Sequence, residues 1–296
     1  MAKKKQAKKA SSKVDSKKRL HAQAKHYPKA FLELMRVGNC LMAAVAIIIG
    51  FFIAGGLIYT TALIAAISGF FICAGGQTIN DYFDRKIDAI TSKNRPIPSG
   101  RVSPKQALFF SLALFIIGIG LATQLNITGQ FIAILFTVLL IAYPLFMNRV
   151  KYIGNIIVAA GTAFTFIYGA AATGQVPTLI IALAISAFFS NMAREIIKDI
   201  EDMKKDNKTK TTIPLLIGSQ NAKAFPLIYY TIAILLSVFL FFRYRLNEGY
   251  LFITLIGAIF FIYSAIFLLK NNPKKSQKMS KIGMIISLIA FILAGF

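Results

Sequence analysis

The sequence predicts an all-α polytopic membrane protein, with nine transmembrane helices arranged as two four-helix halves plus a ninth helix around a central cavity. Long runs without charge, basic residues confined to the segments on one side of those runs, and an aspartate pattern that occurs twice carry that prediction. Residues 37–80, 106–148 and 152–193 contain no Lys, Arg, Asp or Glu, and each run is long enough for two spans of about 20 apolar residues. The first run gives spans one and two, with a turn expected at Tyr59-Thr60-Thr61. The second gives spans three and four, broken at Asn126-Ile127-Thr128-Gly129, and the third gives spans five and six, broken between Ala172 and Pro177. Residues 224–242, 249–269 and 282–296 are single spans, the last so short that Lys281 would have to snorkel.

The turns inside the three long runs carry no charge, whereas the alternate segments 1–36, 85–105, 149–151, 198–223 and 270–281 are basic. Of 34 Lys and Arg, only Arg243 and Arg245 fall in a loop on the other side. The positive-inside rule then places the N-terminus and the loops after both acidic clusters in the cytoplasm, and the C-terminus outside. Residues 1–30 are expected to form a basic, disordered cytoplasmic tail, and 31–296 a single transmembrane domain with repeat halves 37–148 and 152–270. The net charge of +23 is thus divided among loops of a membrane protein, with no nucleic-acid motif beside it, which excludes nucleic acid as a partner. Cys40 and Cys73 lie in separate apolar spans without a CxxC pattern, as packing residues do. His21 and His26 are both in the tail, so no histidine serves chemistry inside the membrane.

Eight of the 11 acidic residues gather in two clusters: Asp81, Asp84 and Asp88, then Asp199, Asp202 and Asp206 with Glu195 and Glu201 nearby. Both triplets are spaced i, i+3, i+7, which puts three carboxylates on one helix face, where they repel unless a cation lies between them. Each Asp of the first triplet precedes its counterpart by 118 residues, and each cluster ends an even-numbered span, the second and the sixth. These two spans run in the same direction, so a bundle packing them across a cavity would face one triplet with the other. Carboxylates, with the Asn80 amide oxygen beside them, suit a hard cation such as Mg²⁺, which keeps positions open for substrate phosphate. Lys93, Arg95, Arg101 and Lys105 after the first cluster, and Lys198 and its basic neighbours around the second, could clamp phosphate oxygens.

The segment Asn80-Asp81-Tyr82-Phe83-Asp84-Arg85-Lys86-Ile87-Asp88 resembles the NDxxDxxxD motif of the UbiA superfamily of intramembrane prenyltransferases, and Asp199-Ile200-Glu201-Asp202-Met203-Lys204-Lys205-Asp206 resembles its DxxDxxxD motif. The likeness extends to Arg36-Val37-Gly38-Asn39 at the entry to the first helix and to Tyr143-Pro144 ahead of Arg149 after the fourth. The resemblance implies that an isoprenyl diphosphate is bound through two Mg²⁺ ions and that its allylic cation passes to an acceptor. It implies Asp81, Asp84, Asp199 and Asp202 as the principal metal ligands, with Asp88 and Asp206, further into the loops, completing the set. Arg36, Asn39, Asn80, Arg95, Arg149 and Lys198 become candidate substrate contacts, and Tyr143 a candidate for stabilising the cation.

The segments Asn94-Arg95-Pro96-Ile97-Pro98-Ser99-Gly100-Arg101-Val102-Ser103 and Arg194 to Asp202 look most like the archaeal ether-lipid branch of that superfamily. That branch implies a geranylgeranyl diphosphate donor and, as acceptor, a prenylated glyceryl phosphate drawn from the bilayer. The Arg-Pro-Ile-Pro-Ser-Gly stretch also resembles chlorophyll synthases, so an aromatic acceptor of quinone, haem or chlorophyll synthesis is the alternative. A cation transporter is the distant alternative, and it would place its acids near the middle of the spans rather than at one end.

Overall fold

The computed structural model describes residues 28–146, 151–206 and 211–295, with side chains at 145, 146, 151 and 204–206 left out of the description. Twelve helices follow in order: α1 (Pro28–Met35), α2 (Val37–Ile53), α3 (Tyr59–Thr91), α4 (Pro104–Ala122), α5 (Ile127–Phe146), α6 (Lys151–Ala171), α7 (Thr178–Asp206), α8 (Ile213–Ile217), α9 (Ser219–Ala222), α10 (Ala224–Tyr244), α11 (Glu248–Leu269) and α12 (Pro273–Leu293). Eight of these are long and apolar enough to cross a membrane, or nine if α1 and α2, which meet at a 48° bend, count as one span. The chain is a multi-pass α-helical membrane protein. Most of the expected tail lies outside the described residues, but α1 already begins at Pro28 and Ala30 is fully buried, so the fold starts before residue 31.

Apolar surface cannot drive helix association in lipid as it does in water, so close backbone approach and interhelical hydrogen bonds hold such a bundle. Both are present. Helix α2 crosses α6 at close range: a Cβ on Gly50 would overlap the Phe166 carbonyl oxygen, and one on Gly169 the Ile47 carbonyl oxygen. Gly75 and Gly76 on α3 admit the Phe115 ring of α4 and the Leu140 side chain of α5. Ser68 on α3 donates to the Gly118 carbonyl at 2.7 Å and pairs with the Tyr168 hydroxyl at 2.8 Å, joining α3, α4 and α6. Ser186 and Ser237 pair at 2.8 Å between α7 and α10, and Ser264 and Ser276 at 2.9 Å between α11 and α12.

Three element boundaries differ from expectation. The first turn precedes Tyr59, which opens α3; Gly55 provides it with φ +79°, and Gly56 leaves room for the Phe51 ring of α2. Helix α12 begins at Pro273, capped by the Asn272 side chain accepting from Lys275 N at 3.1 Å, and its 21 residues remove the need for a short last span. Helix α3 continues unbroken to Thr91, which keeps Asp88 on a regular helix rather than in a loop. The other two turns fall where predicted: Asn126 accepts from Gly129 N at 2.9 Å ahead of α5, and Gly174 has φ +91° ahead of α7.

Candidate active site

At 33 residues, α3 extends about 50 Å and carries its acids on the last turns. Asp81, Asp84 and Asp88 are only 4, 6 and 5% exposed, so the spacing does gather three buried carboxylates on one face. Burying such charges requires nearby cations. Arg36 donates to Gln77 Oε1 at 2.9 Å and to Asp81 Oδ1 at 2.5 Å. It does so from the bend between α1 and α2, where its backbone is left-handed at φ 49° and ψ 55°. Arg95 donates to Asp88 Oδ2 at 2.6 Å and reaches Asp81 Oδ1 at 3.4 Å. Although burial opposes its charge, the facing Asp81, Asp88 and Asp84 hold the Arg95 pKa above its ordinary value.

The segment carrying Arg95 is a folded clasp. Ser99 N and Val102 N donate to the Arg95 and Pro96 carbonyls at 3.0 and 3.1 Å, Gly100 has φ +74°, and Ile97 and Val102 are buried with Ala30, Leu34 and Ala107. Ser103 then closes a capping box with Gln106 at the start of α4. Arg101, expected to reach phosphate, instead ties the clasp together, pairing with Glu33 at 2.7 Å and donating to the Asn94 carbonyl at 2.6 Å. Lys105 is exposed on the first turn of α4.

The α7 face is built differently. Asp199 is fully buried, accepts from Asn155 Nδ2 on α6 at 2.6 Å and does not line the cavity. Glu195, 4% exposed, accepts from Arg194 Nη1 at 2.9 Å and Lys198 Nζ at 3.3 Å. Asp202 is half-buried, and Glu201 accepts from Gln277 of α12 at 2.8 Å. Asp206 ends α7, with its side chain outside the described set, and Arg149 lies outside the described residues altogether.

Helices α3 and α7 do not pack along each other, yet both line one cavity of about 430 Å³. Arg36, Asn39, Asn80, Asp84, Asp88, Arg95, Lys198 and Asp202 are in its wall, as is Tyr143 of α5. The rest of the lining is largely apolar, with Ile72, Ile132 and Phe136 from α3 and α5 and Ile234, Ala258 and Met284 from α10, α11 and α12. Tyr143 rests against α6 at Gly154, where a Cβ would overlap its hydroxyl. Gly154→Ala is therefore expected to displace the Tyr143 ring and lower turnover several-fold, with little change in thermal stability, when the two are measured on the same preparation.

Among the described residues, no three carboxylates, thiols or imidazoles stand close enough to hold one ion by themselves. The donor set still fits Mg²⁺ by its chemistry: Asn80, Asp84, Asp88 and Asp202 bring only hard oxygen ligands to one cavity, which leaves room for substrate oxygens to complete the coordination. The sequence-based reading missed Gln77, Asn155, Arg194 and Lys281. Gln77 stands one turn before Asp81, on the face the triplet defines, and Asn155 is one of three amides in a run whose sequence serves only to count spans.

A family model described as the UbiA prenyltransferase family matches residues 43–289. The chain is 38% identical over 273 residues to digeranylgeranylglyceryl phosphate synthase of Thermococcus kodakarensis, covering 90% of this chain and 98% of that one. To the enzyme of the same name from Methanococcoides burtonii it is 39% identical over 279 residues, covering 90% and 99%. A solved structure presented as digeranylgeranylglyceryl phosphate synthase in membranes matches with a TM-score of 0.73 at 34% identity, covering 91% of this chain and 99% of that one. A UbiA homologue from Archaeoglobus fulgidus bound to GPP and Mg²⁺ shares the fold, with a TM-score of 0.67 at 19% identity over 88% of this chain and 99% of that one. The chain belongs to the UbiA prenyltransferase family.

Proposed function

We propose that this prenyltransferase transfers a geranylgeranyl group from geranylgeranyl diphosphate to the free hydroxyl of geranylgeranylglyceryl phosphate, with Mg²⁺ bound between the two carboxylate faces, and so forms the second ether bond of an archaeal membrane lipid. The observation that carries this reading is a single cavity whose charged end draws on both α3 and α7 and whose interior is apolar, a shape suited to two amphiphiles that each carry phosphate on a long chain. Relatives that match across nine-tenths of the chain, named as digeranylgeranylglyceryl phosphate synthases, support the same acceptor.

Asp84, Asp88 and Asp202, with Asp81 and Asp199 behind them and Asp206 at the end of α7, would hold two Mg²⁺ ions. The metal would neutralise the leaving diphosphate. Arg36 and Arg95 already lie against these carboxylates, so they can turn to diphosphate oxygens without large movement, and Asn39 and Asn80 add amide contacts. Arg149 would add charge from the second half. Below them the Tyr143 and Phe136 rings face the path of the allylic carbon, where their π-electrons favour positive charge and the apolar wall excludes water that would quench it. The basic loops support a cytoplasmic position for this end, with the C-terminus outside.

A mass-resolved product assay with both substrates and Mg²⁺, in parallel with EDTA and with 4-hydroxybenzoate as acceptor, tests the reading. A metal-dependent, doubly geranylgeranylated glyceryl phosphate is expected. Product with the aromatic acid alone would move the acceptor to the quinone class, and no product with either would reject prenyl transfer to both acceptors.

A further inference from the structure

We infer that the acceptor's phosphate is bound by Arg194, Lys198 and Lys281, and that its chain lies against the cavity wall formed by α7, α10, α11 and α12. This rests on the functional reading above and assigns each substrate a place within it. Both substrates have a long apolar chain below a phosphate head, and one cavity has to take both. Its wall from α5 and α6 contributes Phe136, Tyr143, Phe164 and Tyr168, the aromatic surface that a developing allylic cation requires, so it suits the donor. Its wall from α7, α10, α11 and α12 mixes apolar side chains such as Ile234, Met284 and Phe291 with the hydroxyls of Ser190, Ser237 and Thr254.

The same wall carries Arg194 and Lys198 of α7 and Lys281 from two turns inside α12. The first two hold Glu195, which among the described residues is the one acid in the cavity wall outside the aspartate triplets. The cations of the first half, Arg36 and Arg95, instead hold triplet members Asp81 and Asp88. The second-half cluster is therefore an anion site that an internal carboxylate fills while no substrate is bound. A phosphate monoester carries a charge of about −1.5 to −2 and three acceptor oxygens. It can engage Lys281 together with Arg194 and Lys198, which one carboxylate of α7 does not do.

Steady-state kinetics of the full-length enzyme in lipid test the assignment, with Arg194→Gln and Lys281→Gln and with glycerol 1-phosphate as a competitor that lacks the chain. Each variant is expected to raise the acceptor KM about tenfold or more. The donor KM and kcat should stay within about threefold of wild type. Inhibition by glycerol 1-phosphate should be competitive with the acceptor in wild type and weakened in both variants. Lys281 is exposed, so its replacement gives a readout even if the Arg194 variant misfolds. A rise in both KM values together, a rise in the donor KM alone, or no change in either would overturn the assignment while leaving the overall reaction standing. A wild-type enzyme that makes no ether from these substrates would remove the functional reading and this assignment with it.

Discussion

Replacing Asp84 by Asn is expected to lower turnover by about 10²- to 10³-fold while leaving the bundle folded. Asp84 is 6% exposed and lines the cavity. Its neighbours Asp81 and Asp88 also anchor Arg36 and Arg95, so losing either would disturb the clasp and the α1–α2 bend as well as the chemistry. Asparagine keeps the shape of the side chain and removes the charge that a metal requires, so the substitution separates catalysis from scaffold. Turnover at saturating substrates and a thermal unfolding midpoint on the same sample would check this. Wild-type turnover at limiting Mg²⁺ would sink the assignment of Asp84 to the metal site.

The other large effect is structural. Gly169→Ala places a methyl group on the Ile47 carbonyl at the crossing of α2 and α6, where neither partner is a flexible side-chain end. Overpacking of this kind typically costs about 1–3 kcal/mol and can cost more where backbone must move. Gly161→Ala on the same helix is the control, because its Cβ would meet nothing nearer than Phe136 Cε1 at 3.9 Å. Alanine there also relieves the entropic cost of glycine in a helix, about 0.5–1 kcal/mol. Unfolding midpoints should fall well below wild type for Gly169→Ala and stay level or rise for Gly161→Ala. Equal midpoints for the two variants would mean that the crossing yields more easily than its backbone contacts imply.

Much of this architecture is legible in the sequence because the bilayer imposes a simple rule: a span must be about 20 residues long and nearly free of charge. The runs 37–80, 106–148 and 152–193 obey it, and their helices appear in order. Where the rule is silent, sequence reasoning slips. Charge-free length could not show that α12 starts within the basic segment at Pro273, because lysines on the first turns of a membrane helix are compatible with either boundary. Nor could it find the crossing of α2 and α6, where Gly50 meets the Phe166 backbone and Gly169 the Ile47 backbone, residues far apart in the chain.

At the candidate site, the i, i+3, i+7 spacing correctly gathers Asp81, Asp84 and Asp88. The duplicated spacing suggests two equal faces, but the partners make them unequal. Asp81 accepts from the Arg36 cation whereas its counterpart Asp199 accepts from the neutral Asn155 amide, and Glu195 lines the cavity beside Arg194 and Lys198. Such differences depend on which residue of another helix stands opposite, and one helix's periodicity contains no information about that. Arg101 makes the same point, since its charge suggests phosphate while its position assigns it to Glu33.

The central claim is that the α3 and α7 carboxylates act as the two sides of one metal and diphosphate site. It is tested most directly by calorimetric binding of an unreactive geranylgeranyl thiolodiphosphate to wild type, Asp84→Asn and Asp202→Asn, each with and without Mg²⁺. Tight binding by wild type only with Mg²⁺, and loss of that metal-dependent binding in both variants, is the predicted result. Binding that ignores Mg²⁺, or that survives unchanged when either side is replaced, would contradict the claim.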